Sequence, residues 1–232
     1  MIARNLQAVN SRILAACVAA NRPPTSVKLL AVSKKFSFEA VLDAQAGGQL
    51  AFGENYVTEG VSKIQALAGH PSLEWHCIGP VQSNKTRLVA EHFAWVQSVD
   101  RLKIAQRLSE QRPAHLLPLQ VCLQVNIDGG SNKSGVVPSE LALLAKEVAR
   151  LPRLKLRGLM LIPEPAITYE AACAVFIGAK NLFDDINQAV MLPAPMDTLS
   201  MGMTADLEAA IASGSTMVRV GTAIFGDRSA VQ

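Results

Sequence analysis

Lys34 is the side chain of this sequence that is best placed for covalent chemistry. It follows an apolar run, residues 27–33, that predicts a buried strand, and a helical pattern begins shortly after it. A lysine at the mouth of a low-dielectric interior can lose its proton and attack a carbonyl to form a Schiff base. The alternative is that Lys34 and Lys35 form an ordinary solvated pair, and this stretch alone favours that interpretation.

Two glycine-bearing segments near the carboxyl end share a chemistry that suits anions. Ser200, Gly202 and Thr204 precede a predicted helix, and Gly221 and Thr222 flank a short apolar segment. Small residues let backbone N–H groups approach an anion, and hydroxyl groups supply further donors. Each segment alone is better explained by a turn glycine and, at Thr204, a helix cap. Taken together, the two segments predict a phosphate-binding cup.

The run from Met217 to Gly221 predicts a strand that carries a charged residue. Alternation places Met217, Arg219 and Gly221 on one side of this strand and two valines on the other. If the first side faces the interior, the Arg219 guanidinium is buried and needs an acceptor. A ligand heteroatom and an internal carboxylate such as Glu54 both remain open as that acceptor.

The pattern of the chain supplies elements that bring these residues together. Eight apolar, strand-like runs alternate with stretches of helical periodicity. The runs are residues 27–33, 50–54, 73–79, 94–99, 119–126, 155–162, 197–201 and 217–221. Strict alternation implies parallel strands, and eight such units predict a closed (β/α)8 TIM barrel of the α/β class. The competing open, doubly wound sheet lacks a glycine-rich dinucleotide fingerprint after the first strand.

We therefore expect residues 1–232 to form one domain, with an extra N-terminal helix over residues 1–20 and the barrel over residues 27–226. Chemistry in this architecture gathers at the carboxyl ends of the strands. Further candidates there, beyond those named above, are Asn55, His76, Asn126 and Met160.

The composition argues against several other classes of protein. A net charge of +3 is too small to indicate nucleic-acid binding. The four cysteines are widely separated and lack the spacing of a zinc or redox motif, so we expect no metal site. The amino terminus resembles neither a signal peptide nor a membrane span, which predicts a cytoplasmic protein without membrane contact. A closed barrel needs no partner to bury its core, so we expect a monomer.

A lysine able to form an imine, a phosphate cup and a buried arginine at one face of a barrel together describe a site for pyridoxal 5′-phosphate (PLP). Seven blocks of sequence strengthen that interpretation. They are Ala31-Val32-Ser33-Lys34, Phe52-Gly53-Glu54-Asn55-Tyr56, Trp75-His76 with Ile78-Gly79-Pro80 and Gln82-Ser83-Asn84-Lys85, Lys133-Ser134-Gly135, Arg157-Gly158-Leu159-Met160, Ser200-Met201-Gly202-Met203 and Val218-Arg219-Val220-Gly221-Thr222-Ala223-Ile224-Phe225-Gly226. In these blocks and their order, the chain resembles the pyridoxal-phosphate homeostasis proteins, a family similar to the N-terminal barrel domain of alanine racemase.

The resemblance implies a cofactor site of nine residues. They are Lys34 for the Schiff base; Ser200, Gly202, Gly221 and Thr222 for the phosphate; Arg219 for the pyridine nitrogen; and Asn55, Met160 and His76 around the ring. Two residues depart from the family pattern: Thr204 stands where serine is common, and Gly130 where an acidic residue is common. The second departure puts in doubt any ligand contact from the loop at residues 129–130.

The same resemblance implies a protein that binds PLP reversibly and buffers, protects or delivers it, with indirect effects on amino-acid and keto-acid pools; apo PLP-dependent enzymes are candidate partners, and direct transfer to them stays open. We expect little or no catalysis, because racemisation needs acid/base groups on both faces of the cofactor and Lys34 can serve only one. The chain stops after the barrel and has only two tyrosines, Tyr56 and Tyr169. An arginine at the pyridine nitrogen would also weaken the ring as an electron sink. The alternatives are a racemase-like PLP enzyme and a lysine-dependent aldolase that acts on a sugar phosphate.

Overall fold

The computed structural model describes residues 1–130 and 133–226. Residues 131–132 and 227–232, which the predicted 1–232 domain includes, lie outside the described residues. The described chain forms a closed barrel of parallel strands that follow one another in sequence order. The strands are β1 (Lys28–Val32), β2 (Ala51–Glu54), β3 (Glu74–Cys77), β4 (Trp95–Val99), β5 (Leu119–Val125), β6 (Leu154–Leu161), β7 (Thr198–Ser200) and β8 (Met217–Val220).

The barrel closes where β1 pairs with β8, in a register that runs from Lys28 opposite Met217 to Ala31 opposite Val220. Each strand begins and ends within two residues of its predicted bounds. The predicted TIM barrel is therefore confirmed.

Helices alternate with the strands and cover the outside of the barrel. In the described residues they are α1 (Ile2–Ala19), α2 (Phe38–Ala46), α3 (Val57–Ala66), α4 (Thr86–His92), α5 (Leu102–Gln111), α6 (Pro138–Val148), α7 (Tyr169–Ala189), α8 (Leu207–Ala212) and α9 (Thr222–Phe225).

The extra N-terminal helix predicted over residues 1–20 is α1. Its buried stripe, Leu6, Val9, Ile13 and Cys17, recurs every three or four residues, and the helix packs beside α8 and α9.

The barrel strands divide the core into two layers. In β1, Leu29 and Ala31 belong to the layer under the helices, whereas Leu30 and Val32 point inward and pack with Met217. This alternation follows from the two-residue period of a strand. An inward-facing polar residue is therefore surrounded by barrel interior and must find its hydrogen-bond partners there.

Two glycines allow backbone segments to approach each other closely. A Cβ atom on Gly158 would lie 1.6 Å from the carbonyl oxygen of Thr198 in the adjacent strand. A Cβ atom on Gly79 would lie 2.0 Å from the carbonyl oxygen of Asn55. Gly79 thereby lets the chain after β3 pack directly against Asn55 at the end of β2.

Across residues 1–130 and 133–226, no helix combines the length and the apolar character needed to cross a bilayer. Within the same ranges, no cluster of three or more His, Cys, Asp or Glu side chains is arranged to hold a metal ion. All four cysteines are free thiols, and Cys17, Cys77 and Cys122 are buried.

Candidate functional site

A cavity of about 300 Å³ lies where β1, β2 and β8 end. Five of the nine predicted site residues line it: Lys34, Asn55, Arg219, Gly221 and Thr222. Its apolar wall comes from Val32, Phe36, Ile78 and Ile162, and the segment after β7 contributes Met203, Thr204 and Ala205. The cavity therefore combines an amine, a guanidinium, an amide and two hydroxyls with an apolar surface.

The backbone beyond β1 separates the two adjacent lysines. Lys34 is half-buried and lines the cavity, whereas Lys35 is exposed. Lys35 has a φ of 66°, in the left-handed region that non-glycine residues seldom adopt, and its backbone N–H donates to Glu59 Oε1 at 2.5 Å. This turn gives the two neighbouring amines different surroundings.

A buried ion pair supports this loop from the side of α3. Lys63 Nζ donates to Glu54 Oε1 at 2.8 Å, to Glu59 Oε1 at 2.7 Å and to the carbonyl oxygen of Ser33 at 2.7 Å. The Ser33 hydroxyl also donates to Glu54 Oε1, at 2.6 Å. Burial raises the pKa of Glu54 even though Lys63 and Ser33 stabilise its charged form. Glu54 is therefore the partner of Lys63, and its proposed role as the acceptor for Arg219 is wrong.

Arg219 lies inside the barrel, as strand alternation predicts, and its partners are neutral. Its Nη1 donates to the carbonyl oxygen and to the Oγ of Ser200, both at 2.8 Å, and its Nη2 donates to the carbonyl oxygen of Leu161 at 2.8 Å. Within the described residues, no carboxylate lies within ion-pair distance of this guanidinium. Burial lowers the pKa of Arg219 to about 10. A ligand acceptor in the cavity would compensate part of that burial.

The other four predicted residues lie outside the cavity lining. Ser200 is fully buried beneath it, and its Oγ donates to Gln97 Oε1 at 2.7 Å. Gly202 has a φ of 94°, and a Cβ atom there would lie 2.4 Å from the Ala210 Cβ, so this glycine serves the packing of α8. Met160 is fully buried and packs with Trp95 in the barrel interior.

His76 also lies within the barrel. It stacks on Trp95 with the ring centroids 5.0 Å apart, and its ring nitrogens meet Glu74 Oε1 at 2.7 Å and Gln97 Nε2 at 2.9 Å. His76 does not line the cavity and both of its ring nitrogens meet other side chains, so its place around the cofactor ring stays a prediction.

The segment after β7 does not form the Thr204 helix cap that was the alternative to a phosphate cup. Helix α8 begins at Leu207, and Asp206 Oδ1 accepts the backbone N–H of Met203 at 2.6 Å. Thr204 instead lines the cavity, and its carbonyl oxygen accepts from Arg12 Nη2 at 3.0 Å. Thr204 is therefore a residue of the cavity wall, and the alternative of a capping threonine is not observed.

Sequence reasoning missed three residues that shape the site: Phe36, Lys63 and Gln97. Phe36 lines the cavity and stacks on Phe225 with centroids 5.0 Å apart. Gln97 carried a usable signal, because it is an amide within a predicted strand, two residues after Trp95 and therefore on the same face. Lys63 carried no comparable signal, since a lysine on a helix is normally exposed.

Comparison with known proteins identifies the family. Residues 4–229 match the family model for the alanine racemase N-terminal domain. The chain is 56% identical over 227 residues to a Pseudomonas aeruginosa protein, covering 98% of this chain and 96% of that one. It is 52% identical over 236 residues to an Escherichia coli K12 protein, covering 98% and 97%. Both relatives are named pyridoxal phosphate homeostasis protein.

Solved structures agree with this result. PipY of Synechococcus elongatus, with PLP bound, superposes with a TM-score of 0.84 at 35% identity, covering 97% of this chain and all of that one. Alanine racemase from Corynebacterium glutamicum superposes with a TM-score of 0.67 at 18% identity, covering 96% of this chain and 59% of that one, and shows likeness of fold alone. This chain therefore belongs to the alanine racemase N-terminal domain family and, within it, to the pyridoxal phosphate homeostasis proteins.

Proposed function

We propose that this protein binds PLP reversibly through Lys34 and contributes to PLP homeostasis by buffering and delivering the cofactor, with little or no catalytic activity. The observation that carries the proposal is that Lys34, Arg219, Gly221 and Thr222 line one cavity. The names of the relatives and the PLP-bound structure of PipY support the same cofactor.

The side chains around the cavity fit PLP by size and by chemistry. A volume of about 300 Å³ accommodates one substituted aromatic ring with a phosphate, and Val32, Phe36 and Ile78 provide apolar surface for the ring. Thr204 and Thr222 offer hydroxyl donors near Gly221. A Cβ atom on Gly221 would come within 3.2 Å of the Val32 carbonyl oxygen, so glycine lets this turn lie close against the end of β1.

Asn55 supplies an independent argument for a polar ligand. Its side-chain oxygen is buried at the cavity and has no hydrogen-bond partner. An unsatisfied buried acceptor costs about 1–3 kcal/mol, which a ligand donor such as a ring hydroxyl would recover. We therefore assign Asn55 to the ring side of the site.

The remaining roles follow from the groups that the chain presents. When bound, PLP supplies an aldehyde carbon that condenses reversibly with an amine and releases water. Lys34 provides that amine, while Arg219 can only donate and so keeps the ring nitrogen as an acceptor. An unprotonated ring nitrogen weakens the ring as an electron sink, which favours storage over turnover.

The position of the tyrosines also favours storage. Racemisation needs a second acid/base group opposite the lysine. Tyr56 and Tyr169 are both exposed, and neither lines the cavity. Exposed residues such as Met203, Ala205 and Thr222 lie at its mouth, which supports entry and release of the cofactor.

Absorption spectroscopy with borohydride trapping tests the assignment of the lysine. Wild-type protein titrated with PLP should develop the absorption band of a lysine imine, and borohydride should fix a pyridoxyl group on the peptide that contains Lys34. Lys34→Ala should lose both signals, and the matched control Lys35→Ala should keep them. Trapping on Lys35 in wild-type protein, or an unchanged band in Lys34→Ala, would refute the assignment.

Two further experiments test the physiological role. Purified protein loaded with PLP should reactivate an apo-enzyme in the presence of a phosphatase that destroys free PLP, which direct delivery requires. Incubation with amino acids should give no turnover above that of free PLP; substantial racemisation would establish the enzyme instead.

We also expect a monomeric, cytoplasmic protein, and light scattering would detect a dimer.

A further inference from the structure

A chain of hydrogen bonds crosses the barrel interior from the cavity to the opposite face. Arg219 Nη1 contacts Ser200 Oγ at 2.8 Å, and Ser200 Oγ contacts Gln97 Oε1 at 2.7 Å. Gln97 Nε2 lies 2.9 Å from His76 Nδ1, and His76 Nε2 lies 2.7 Å from Glu74 Oε1. Ser200, Gln97 and His76 are buried, and Glu74 reaches solvent at the amino ends of the strands. The chain therefore joins the cavity arginine to a carboxylate at the far end of the barrel.

The two ends of this hydrogen-bond chain constrain the direction of the bonds between them. A guanidinium can only donate, and a carboxylate can only accept. Ser200 accepts from Arg219, and because its hydroxyl donates to Gln97 Oε1, Gln97 donates through Nε2 to His76 Nδ1. His76 is left neutral, with its proton on Nε2 facing Glu74, and its burial favours the same neutral form.

Two contacts that flank the hydrogen-bond chain agree with these bond directions. Gln97 Nε2 also lies 3.1 Å from the Met217 sulfur, which can only accept. Lys28 Nζ donates to Glu74 Oε1 at 2.5 Å and thereby holds the carboxylate in its charged, accepting form. Reversing any single bond would leave two donors or two acceptors facing each other, at a cost of about 1–3 kcal/mol.

We propose that Gln97 and His76 are positioning residues that hold the Arg219 guanidinium toward the cofactor cavity by fixing the Ser200 hydroxyl as its acceptor. The inference rests on the proposed function, since it concerns the residue assigned to the PLP ring nitrogen. Arg219 has only Ser200 and the Leu161 carbonyl oxygen as side-chain partners in the described residues. Loss of the Gln97 acceptor frees the Ser200 hydroxyl to rotate, and the guanidinium then loses one of its few fixed contacts.

The first test compares two buried glutamines. Gln97→Leu removes the link between Ser200 and His76, whereas Gln49→Leu removes another buried amide, which donates to the Leu29 and Ala51 carbonyl oxygens and takes no part in the hydrogen-bond chain. Gln97→Leu should weaken PLP binding about fivefold to tenfold and displace the pH midpoint of the bound-cofactor absorption band. Gln49→Leu should bind PLP within about twofold of wild type, with an unchanged midpoint.

If Gln97→Leu does not fold, Ser200→Ala is the substitute, because it removes only one oxygen atom and should change binding and midpoint in the same direction. If Gln97→Leu, or Ser200→Ala in its place, behaves like Gln49→Leu, the positioning role is overturned. If wild-type protein binds no PLP, the proposed function fails and the positioning role fails with it. If only the positioning role is wrong, wild-type protein still binds PLP, and Gln97→Leu and Ser200→Ala bind it as Gln49→Leu does.

The second test needs no variant, and its first measurement needs no cofactor. Ring ¹⁵N chemical shifts of His76 in unliganded wild-type protein should show a neutral imidazole with its proton on Nε2 near pH 7. Addition of PLP should shift these resonances, although His76 does not line the cavity. A proton on Nδ1, or no response to PLP under conditions in which the absorption band forms, would contradict the proposal.

Discussion

Replacing Lys63 with methionine should destabilise this protein by about 4 kcal/mol at pH 7. The change removes the ammonium group that contacts Glu54, Glu59 and the Ser33 carbonyl oxygen. Methionine replaces the lysine stem with an apolar side chain of similar length. Glu54 is fully buried, and its Oε2 already lacks a hydrogen-bond partner. Without Lys63, the Glu54 carboxylate is left without a compensating positive charge.

Protonation of Glu54 limits the electrostatic part of this loss. The ordinary carboxyl pKa is 4.5, so protonation at pH 7 costs about 3.4 kcal/mol at roughly 1.36 kcal/mol per pH unit. The lost contact with the Ser33 carbonyl oxygen adds about 1 kcal/mol. At pH 5.5 the protonation cost falls to about 1.4 kcal/mol, so the deficit of the variant should shrink as the pH is lowered.

Urea unfolding of the wild type and Lys63→Met at pH 7 and pH 5.5 measures both quantities. A loss of about 4 kcal/mol should also lower the melting temperature by roughly 8–16 °C in a chain of this length. The control is Lys180→Met, which breaks an exposed pair with Asp184 and should cost less than about 1 kcal/mol. A Lys63→Met deficit as small as that of the control, or one that grows toward acid pH, would refute the reasoning.

Three further predictions concern backbone packing, acid stability and thiol reactivity. Gly158→Ala should cost about 3 kcal/mol or prevent folding, because its Cβ would collide with a backbone oxygen of the next strand; near-wild-type urea unfolding would contradict this. Burial alone would raise the pKa of Glu74, but hydrogen bonds from His76 and a lysine lower it to about 2. Because this folded-state pKa lies below the ordinary 4.5, the stability it contributes is present above pH 4.5 and is lost as the pH falls toward 2. Glu74→Gln should therefore flatten that acid-side loss in melts recorded across this window. Burial raises the pKa of Cys77 to about 12, so at pH 8 a thiol reagent should label half-buried Cys173 before Cys77, as peptide mapping would show.

The barrel was predictable because its determinants are local. Each strand is a short apolar run, each connection has helical periodicity, and the alternation of the two leaves few topologies. The inward direction of Arg219 was predictable for the same reason, since it follows from the two-residue period of β8. The placement of Lys34 at the cavity likewise follows from its position at the end of β1.

The partners of these residues were not predictable, because they are set by contacts between distant parts of the chain. Ser200 meets Gln97 across 103 residues, and a single sequence gives no signal for that pairing. The alternative in which Glu54 accepts from Arg219 is wrong because Lys63, on a helix outside the barrel, reaches the same carboxylate. His76 was placed at the ring by resemblance, whereas its position on β3 directs it toward Glu74 and the amino ends of the strands.

The left-handed turn at Lys35 has a consequence for selectivity between neighbouring amines. Two consecutive lysines usually compete for the same electrophile, with basicity deciding between them. Here the backbone decides, because one residue borders an apolar cavity and the other projects into solvent. Migration of an aldehyde adduct from Lys34 to Lys35 would require this turn to unwind and release Glu59. If Lys34 carries the cofactor as proposed, the fold selects between the two amines before any ligand arrives.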